Sequence, residues 1–231
     1  MAKIERLFRA PYSMPNGVQV VDDTLWVADQ ISDRVARVEI ADASRYGCTL
    51  VLQEIESESS NTSGMAYGDG SLFLVANGPG ESYRPARPDD AAAGEILKVD
   101  PETGETQSRW DLPGGGGSHG IEYDPFEDGV VWLTTLKSQT LSKVRISDWE
   151  ILKVLPLPHT RAHGVVRVED GIWVVHTADR VIVKMDLEEE GKELDRIDVP
   201  EPYPEPHGLS IYNGGFLYCD ATSGWVAKIY L

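Results

Sequence analysis

Three of the chain's five histidines stand in the same local setting, each directly before a glycine and a short apolar run. They are His119, His163 and His207, and the glycines that follow them are spaced 44 residues apart. Neutral imidazoles that meet at one point bind Zn²⁺ or Fe²⁺ and leave a coordination position free to polarise a water or a carbonyl group. The equal spacing therefore predicts a shared metal site, provided that the fold brings the three positions together.

Other polar side chains recur at fixed distances from these histidines. Glu205 and Arg161 each lie two residues before one of them, and Asp220 and His176 end the strands that follow. Carboxylates add oxygen ligands for a metal, whereas arginines bind anionic groups. Asp29 occupies the matching place in the first repeat and is expected to cap its own backbone. The residues expected to contact a substrate are Asn16, Arg161, His176, Arg84 and Arg87.

The elements that position these residues belong to an internal repeat. Five segments each begin with a small or polar residue and glycine, continue as an apolar strand and a turn, and then give an aromatic strand and a third strand. The opening pairs are Asn16-Gly17, Ser63-Gly64, His119-Gly120, His163-Gly164 and His207-Gly208, and their glycines lie 47, 56, 44 and 44 residues apart. Four short strands in about 44 residues is the period of a β-propeller blade.

The sequence thus predicts an all-β, five-bladed β-propeller in a single domain, residues 1–231, with four antiparallel strands in each blade. The fifth repeat ends after its third strand, and residues 4–9 have the pattern of the missing fourth strand. An N-terminal strand in that position closes the ring and removes an exposed edge.

Alternate turns of a propeller fall on the same face. The opening residues and the ends of the second strands therefore share one face, on which the long segment 77–94 is also expected. A glycine run at 114–117 lengthens the entry to the third blade. Long irregular loops often carry function, so this face is the predicted location of the site.

Composition narrows the classes of partner. The chain has 21 Lys+Arg and 38 Asp+Glu, which gives a net charge of −17. Such a charge disfavours nucleic acid and anionic membrane surfaces. No apolar run approaches the roughly 20 residues that span a bilayer, and two cysteines make no disulfide framework. We therefore expect a cytoplasmic monomer that acts on a small molecule.

In its blade pattern the chain resembles the streptogramin lyases, and more broadly the gluconolactonase-like and NHL-type propellers. The resemblance rests on phrases such as Pro206-His207-Gly208-Leu209 followed by Leu217-Tyr218-Cys219-Asp220. It implies that His207 is a general base, that Glu205 and Asp220 hold Mg²⁺, and that His163 contacts the substrate. The lyase family has seven blades and usually has Glu at the position of Asp220. The resemblance offers no counterpart for His119.

Three functions follow. The first is a lyase that opens a C–O bond by proton abstraction and β-elimination beside a metal-polarised carbonyl. The second is a lactonase or esterase in which His119, His163 and His207 hold a metal that activates water. The third is a non-catalytic binding platform. Metal preference separates the first two, because oxygen ligands suit Mg²⁺ and three imidazoles suit Zn²⁺ or Fe²⁺.

Overall fold

A computed structural model describes residues 2–88, 90–113 and 116–231 of the chain. The described residues form five four-stranded antiparallel sheets, and the innermost strand of each sheet packs against those of its two neighbours around a ring. The prediction of a five-bladed β-propeller is confirmed. Gly114 and Gly115 of the predicted entry insertion lie outside the described residues.

The blades follow one another along the chain, and each runs from an inner to an outer strand. Blade 1 consists of β2 (Pro15–Val21), β3 (Thr24–Asp29), β4 (Val35–Glu39) and β5 (Val51–Ile55), and blade 2 of β6 (Thr62–Gly68), β7 (Ser71–Ala76), β8 (Glu95–Val99) and β9 (Thr106–Asp111). Blade 3 consists of β10 (Ile121–Tyr123), β11 (Val130–Thr135), β12 (Thr140–Arg145) and β13 (Ile151–Pro156), and blade 4 of β14 (Ala162–Val168), β15 (Gly171–His176), β16 (Val181–Met185) and β17 (Glu193–Asp198). Blade 5 consists of β18 (Leu209–Tyr212), β19 (Gly215–Cys219), β20 (Trp225–Tyr230) and, as its outer strand, β1 (Lys3–Arg9).

Blade 5 contains the closure of the ring. Strand β1 pairs antiparallel with β20, from Lys3 opposite Tyr230 to Arg9 opposite Trp225. Phe8 of β1 is fully buried among apolar residues of blades 1 and 5. The N-terminal strand therefore supplies the fourth strand of the last blade, as the sequence predicted.

Burial explains the strand patterns. The second strands of the blades read as continuous apolar runs because both of their faces pack against neighbouring blades; every residue of β7, β11 and β15 is buried. The outermost strands are largely exposed, as in β17. Apolar clusters fill the spaces between the blades, and one of them packs Trp173 of blade 4 against Phe216 of blade 5.

The axis of the ring is closed by the five opening glycines. A Cβ atom on Gly120 would lie 1.9 Å from the carbonyl oxygen of His163, and one on Gly164 would lie 2.3 Å from the amide nitrogen of Leu209. The cavity that remains along the axis has about 10 Å³, which is room for a single water molecule. The opening residues therefore surround a closed axis, and of the five only His119 is more than slightly exposed.

The long segment of blade 2 is fastened to blade 1. The guanidinium of Arg84 contacts the buried carboxylate of Asp33 and that of Asp90, both at 2.6 Å. Arg87 donates to the backbone oxygen of Ser32 at 2.8 Å. Both arginines that were predicted to contact a substrate thus hold this loop in place. Their described contacts lie with blade 1 and the loop, and none involves the histidines.

Within the described part of the chain, no helix has the length and apolar character required to cross a membrane.

Glu122 of β10 gives a pH-dependent prediction. Its side chain is almost fully buried, and the one hydrogen bond that it makes to the described residues comes from the amide of Arg167 at 3.4 Å. Burial, with the nearby charge of Asp124, raises the pKa of Glu122 to about 8. The folded state thus keeps a proton that the unfolded chain releases above about pH 4.3, so this group lowers stability as the pH rises towards 8.

Glu122→Gln is therefore expected to raise the free energy of unfolding at pH 7.5 by at least about 1 kcal/mol, and by less at pH 5. Urea unfolding at both pH values measures this, with the exposed Glu169→Gln as the control variant. An increase that is equal at the two pH values would contradict the prediction.

Candidate functional site

The three histidines lie side by side at the openings of blades 3, 4 and 5. The ring centroids of His119 and His163 are 4.4 Å apart, and those of His163 and His207 are 4.8 Å apart. The other two opening residues have different contacts: Asn16 donates to the Gln30 side chain at 2.7 Å, and Ser63 donates to the backbone oxygen of Ser118 at 2.7 Å. The cluster thus covers three of the five blades.

All three imidazoles are held in the neutral form. Burial, with smaller contributions from the neighbouring His207 and from the positive charge of Arg161, lowers the pKa of His119 to about 4. Burial also places the pKa of His163 well below its usual value and lowers that of His207. The cluster therefore offers unprotonated nitrogens at neutral pH.

His207 is oriented by the backbone and faces a carboxylate. Its Nδ1 lies 3.2 Å from the carbonyl oxygen of Glu205 and 3.4 Å from the amide nitrogen of Ala221. Its Nε2 lies 3.7 Å from a carboxylate oxygen of Glu205. The Glu205 carbonyl can only accept a hydrogen bond from Nδ1, whereas the Ala221 amide can only donate one to it, so these contacts allow either tautomer. The tautomer in which Nδ1 donates to the carbonyl has an unprotonated Nε2, which is the form that a general base requires.

Glu205, His207 and Asp220 present ligand atoms that all lie within 4.8 Å of one another. Among the described residues they are the one group of three or more acidic, histidine or cysteine side chains with this geometry. Two carboxylates and an imidazole suit a hard or borderline divalent cation. The donor set therefore fits a divalent cation, without distinguishing between the metals that the sequence predicts.

Asp220 also organises the backbone of the site. Its carboxylate accepts hydrogen bonds from the amides of Glu205, Thr222 and Ser223 at 3.0, 2.8 and 3.2 Å, and from the Ser223 hydroxyl. Asp29 does the same in blade 1, where it accepts from the amides of Met14 and Ser32. A cation on Asp220 would share its oxygens with these donors.

The three-histidine ligand set is arranged differently. His119 Nδ1 and His163 Nε2 lie 2.8 Å apart, a hydrogen-bond distance. Within the part of the chain that the structure describes, these two and His207 do not form a group with all ligand atoms within 4.8 Å. His119 and His163 are thus joined to each other by a hydrogen bond, and His207 packs beside His163 with the ring centroids 4.8 Å apart.

A cleft of about 380 Å³ opens beside the carboxylates. Arg180, Glu201, Tyr203 and Thr222 line it together with Glu205 and Asp220. Arg180 donates to the backbone oxygens of Val199 and Tyr203, and so fixes the proline-rich segment that enters blade 5. Sequence reasoning missed these lining residues, although an aromatic residue within Pro-Glu-Pro-Tyr-Pro two residues before Glu205 was a usable signal.

Two predicted substrate contacts lie at different depths. Arg161 is exposed, has φ +51°, and adds its positive charge next to all three histidines. His176 is fully buried, and its ring lies 5.1 Å from that of His159 rather than in the cluster. Arg161 therefore lies near the histidine cluster, whereas His176 lies apart from it.

No family model matches the chain, and no curated protein sequence matches it. Its structure is similar to that of glutaminyl cyclase from Myxococcus xanthus, with 11% identity, a TM-score of 0.67, and coverage of 99% of this chain and 95% of the other. It is also similar to a catalytically inactive His-to-Ala variant of virginiamycin B lyase from Staphylococcus aureus with quinupristin. That match has 16% identity and a TM-score of 0.55, and it covers 94% of this chain and 66% of the other.

A second structure of that lyase, substituted with selenomethionine, gives 13% identity, a TM-score of 0.54 and full coverage of both chains. The resemblance to the streptogramin lyases is thereby confirmed at the level of the fold. At sequence identities of 16% and 13%, the similarity concerns the fold alone. The chain has the β-propeller fold of two enzymes, a lyase and a cyclase.

Proposed function

We propose that the protein is a metal-dependent lyase that opens a C–O bond by β-elimination in a small carbonyl compound. One observation carries this proposal: the Nε2 atom of a neutral His207 lies 3.7 Å from the Glu205 carboxylate, within a group completed by Asp220 at the edge of an open cleft. A base and an oxygen-rich ligand pair thus stand next to each other.

The chemistry requires a proton to leave the carbon next to a carbonyl group. Glu205 and Asp220 would hold the divalent cation, which when bound polarises that carbonyl and makes the neighbouring C–H more acidic. His207 Nε2 takes the proton, and its Nδ1 hydrogen bond to the Glu205 carbonyl keeps the ring in the required orientation. The β-oxygen leaves as the C–O bond breaks, and no water is consumed.

The hydrolase is the weaker alternative, because it needs three imidazoles as ligands. In this chain the Nδ1 of His119 and the Nε2 of His163 are 2.8 Å apart and engaged with each other. A metal between them would first have to break that hydrogen bond.

The cleft favours a small molecule over a polymer, since its volume is about 380 Å³. The net charge of −17 disfavours nucleic acid and anionic membranes. We propose further that the protein is a cytoplasmic monomer, since its five blades close into a ring within one chain.

The mass of the product tests the reaction type. The protein with Mg²⁺ is incubated with a panel of cyclic esters that includes quinupristin, and the products are measured by mass spectrometry. Ring opening by elimination gives a product of unchanged mass that carries a new double bond, whereas hydrolysis adds the mass of one water. Addition of water to any ester would favour the hydrolase, and no product from the panel would favour a binding platform.

Metal binding gives a separate prediction. Titration calorimetry with Mn²⁺ on the protein without an affinity tag is expected to show one site, and Glu205→Gln is expected to weaken it at least about tenfold through loss of an anionic ligand. The matched control is Glu201→Gln, which neutralises a carboxylate of the same cleft that lies outside the group of three. Equal losses in the two variants would indicate general electrostatic attraction rather than a ligand.

A further inference from the structure

The hydrogen bonds around His163 determine which of its nitrogens carries the proton. Nδ1 lies 2.8 Å from the backbone oxygen of Arg161, which can only accept. It also lies 2.9 Å from the Thr177 hydroxyl oxygen, whose hydrogen is donated to the backbone oxygen of Pro206 at 2.7 Å. Both neighbours of Nδ1 are therefore acceptors, so Nδ1 is the donor.

The proton position on His163 fixes that on His119 in turn. With the ring neutral and Nδ1 protonated, His163 Nε2 can only accept a hydrogen bond. The atom 2.8 Å away is His119 Nδ1, which must then be the donor. A single direction of donation thus runs from His119 through His163 and Thr177 to the backbone oxygen of Pro206, which lies between Glu205 and His207 in the sequence.

The chain of hydrogen bonds leaves one nitrogen free at its start. His119 Nε2 is unprotonated in this tautomer, and it has no hydrogen-bond partner among the described residues. His119 is partly exposed, unlike His163, which is buried. The exposed guanidinium of Arg161 adds positive charge nearby, which disfavours a cationic donor such as an ammonium group.

We infer that His119 Nε2 is a specificity-determining acceptor, which takes a hydrogen bond from a hydroxyl or amide N–H of a neutral or anionic molecule. His163 and Thr177 are positioning residues that hold His119 in this tautomer. The inference rests on the proposed function in one respect: it takes the substrate to bind beside His207, so that a part of it reaches His119 across His163. It assigns His119, for which the resemblance to the lyases offered no role, to binding rather than to a metal.

Nitrogen NMR of the metal-free protein labelled with ¹⁵N-histidine tests the tautomers. Both His119 and His163 are expected in the Nδ1–H form, with Nε2 unprotonated. His119→Asn is the matched variant, because an Asn amide can occupy the place of Nδ1 and still donate to His163 while the Nε2 acceptor is lost. The His163 signals should keep their pattern in that variant. Detection of His119 in the Nε2–H form would overturn the inference.

Titration with a β-hydroxy carboxylate and with its O-methyl ether tests the ligand class. The hydroxyl compound is expected to move the His119 Nε2 resonance, because a donated hydrogen bond changes the shielding of that nitrogen, and the ether is not. Equal movement with both compounds, or movement with neither, would overturn the inference. Neither measurement involves turnover or a metal, so this inference and the proposed lyase can fail separately.

Discussion

Replacing His207 with alanine is expected to lower the rate of elimination by about 10²- to 10⁴-fold, which is the usual contribution of a positioned general base. The Nε2 of this imidazole faces the carboxylate of Glu205 at 3.7 Å, and it is the atom that takes the proton in the proposed reaction. The loss should fall on kcat more than on KM, since the proton moves only in the chemical step. Initial rates on the ester identified by product mass measure it.

His159→Ala is the control for His207→Ala, because His159 contacts Asp179 at 3.2 Å and lies outside the cluster. Circular dichroism and thermal unfolding should show that both variants are folded. The pH dependence adds a second test: burial lowers the pKa of His207, so the rate should remain constant down to a pH below 6.5, the usual pKa of histidine. Full activity of a folded His207→Ala variant would exclude His207 as the base.

Replacing Gly120 with alanine is expected to lower the free energy of unfolding by at least about 3 kcal/mol, at the upper end of what overpacking costs. The added Cβ would lie 1.9 Å from the carbonyl oxygen of His163 and 2.8 Å from a methyl carbon of Val165. The backbone oxygen belongs to the neighbouring blade and cannot move without shifting the whole sheet. The melting temperature of a chain of this size should fall by about 6 to 12 °C.

Gly70→Ala separates this steric effect from the general cost of replacing a glycine. Gly70 has φ +66°, and a Cβ there meets no atom within 4 Å. Its replacement is expected to cost only the 1–2 kcal/mol or so of a left-handed alanine. If Gly120→Ala were no more destabilising than Gly70→Ala, the blades could not be packed as closely at the axis as the structure indicates.

The blade count and the ring closure could be predicted because they depend on periodic patterns. Second strands such as β11 and β15 are buried on both faces, so their sequences are apolar along nearly their whole length and can be recognised in each repeat. The grouping of Glu205, His207 and Asp220 could also be predicted, because the opening residues of a blade and the end of its second strand share a face. Roles in catalysis and metal binding for these residues stay predictions.

Contacts between side chains could not be predicted in the same way. The sequence gives Arg84 and Arg87 no partners, yet both hold the long loop against blade 1, because Asp33 is buried there and needs a counter-charge. The position of His176 at the end of a second strand did not indicate that its ring lies beside His159 and away from the three histidines. The direction of a side chain at a strand end depends on the residues packed around it. The cleft beside Glu205 depends on where a proline-rich segment crosses a blade, and periodicity carries no information on that.

The pairing of β1 with β20 sets an order on assembly. Blades 1 to 4 are each built from consecutive strands, whereas blade 5 joins segments more than 200 residues apart in the sequence. On a ribosome, the first four sheets can form as they emerge, while β1 must wait for β20 to be synthesised. Residues of such large separation also pair slowly, because the intervening chain must be ordered first. The base and both proposed metal ligands lie on the last blade or on the segment that enters it, so the site is completed only when the ring is.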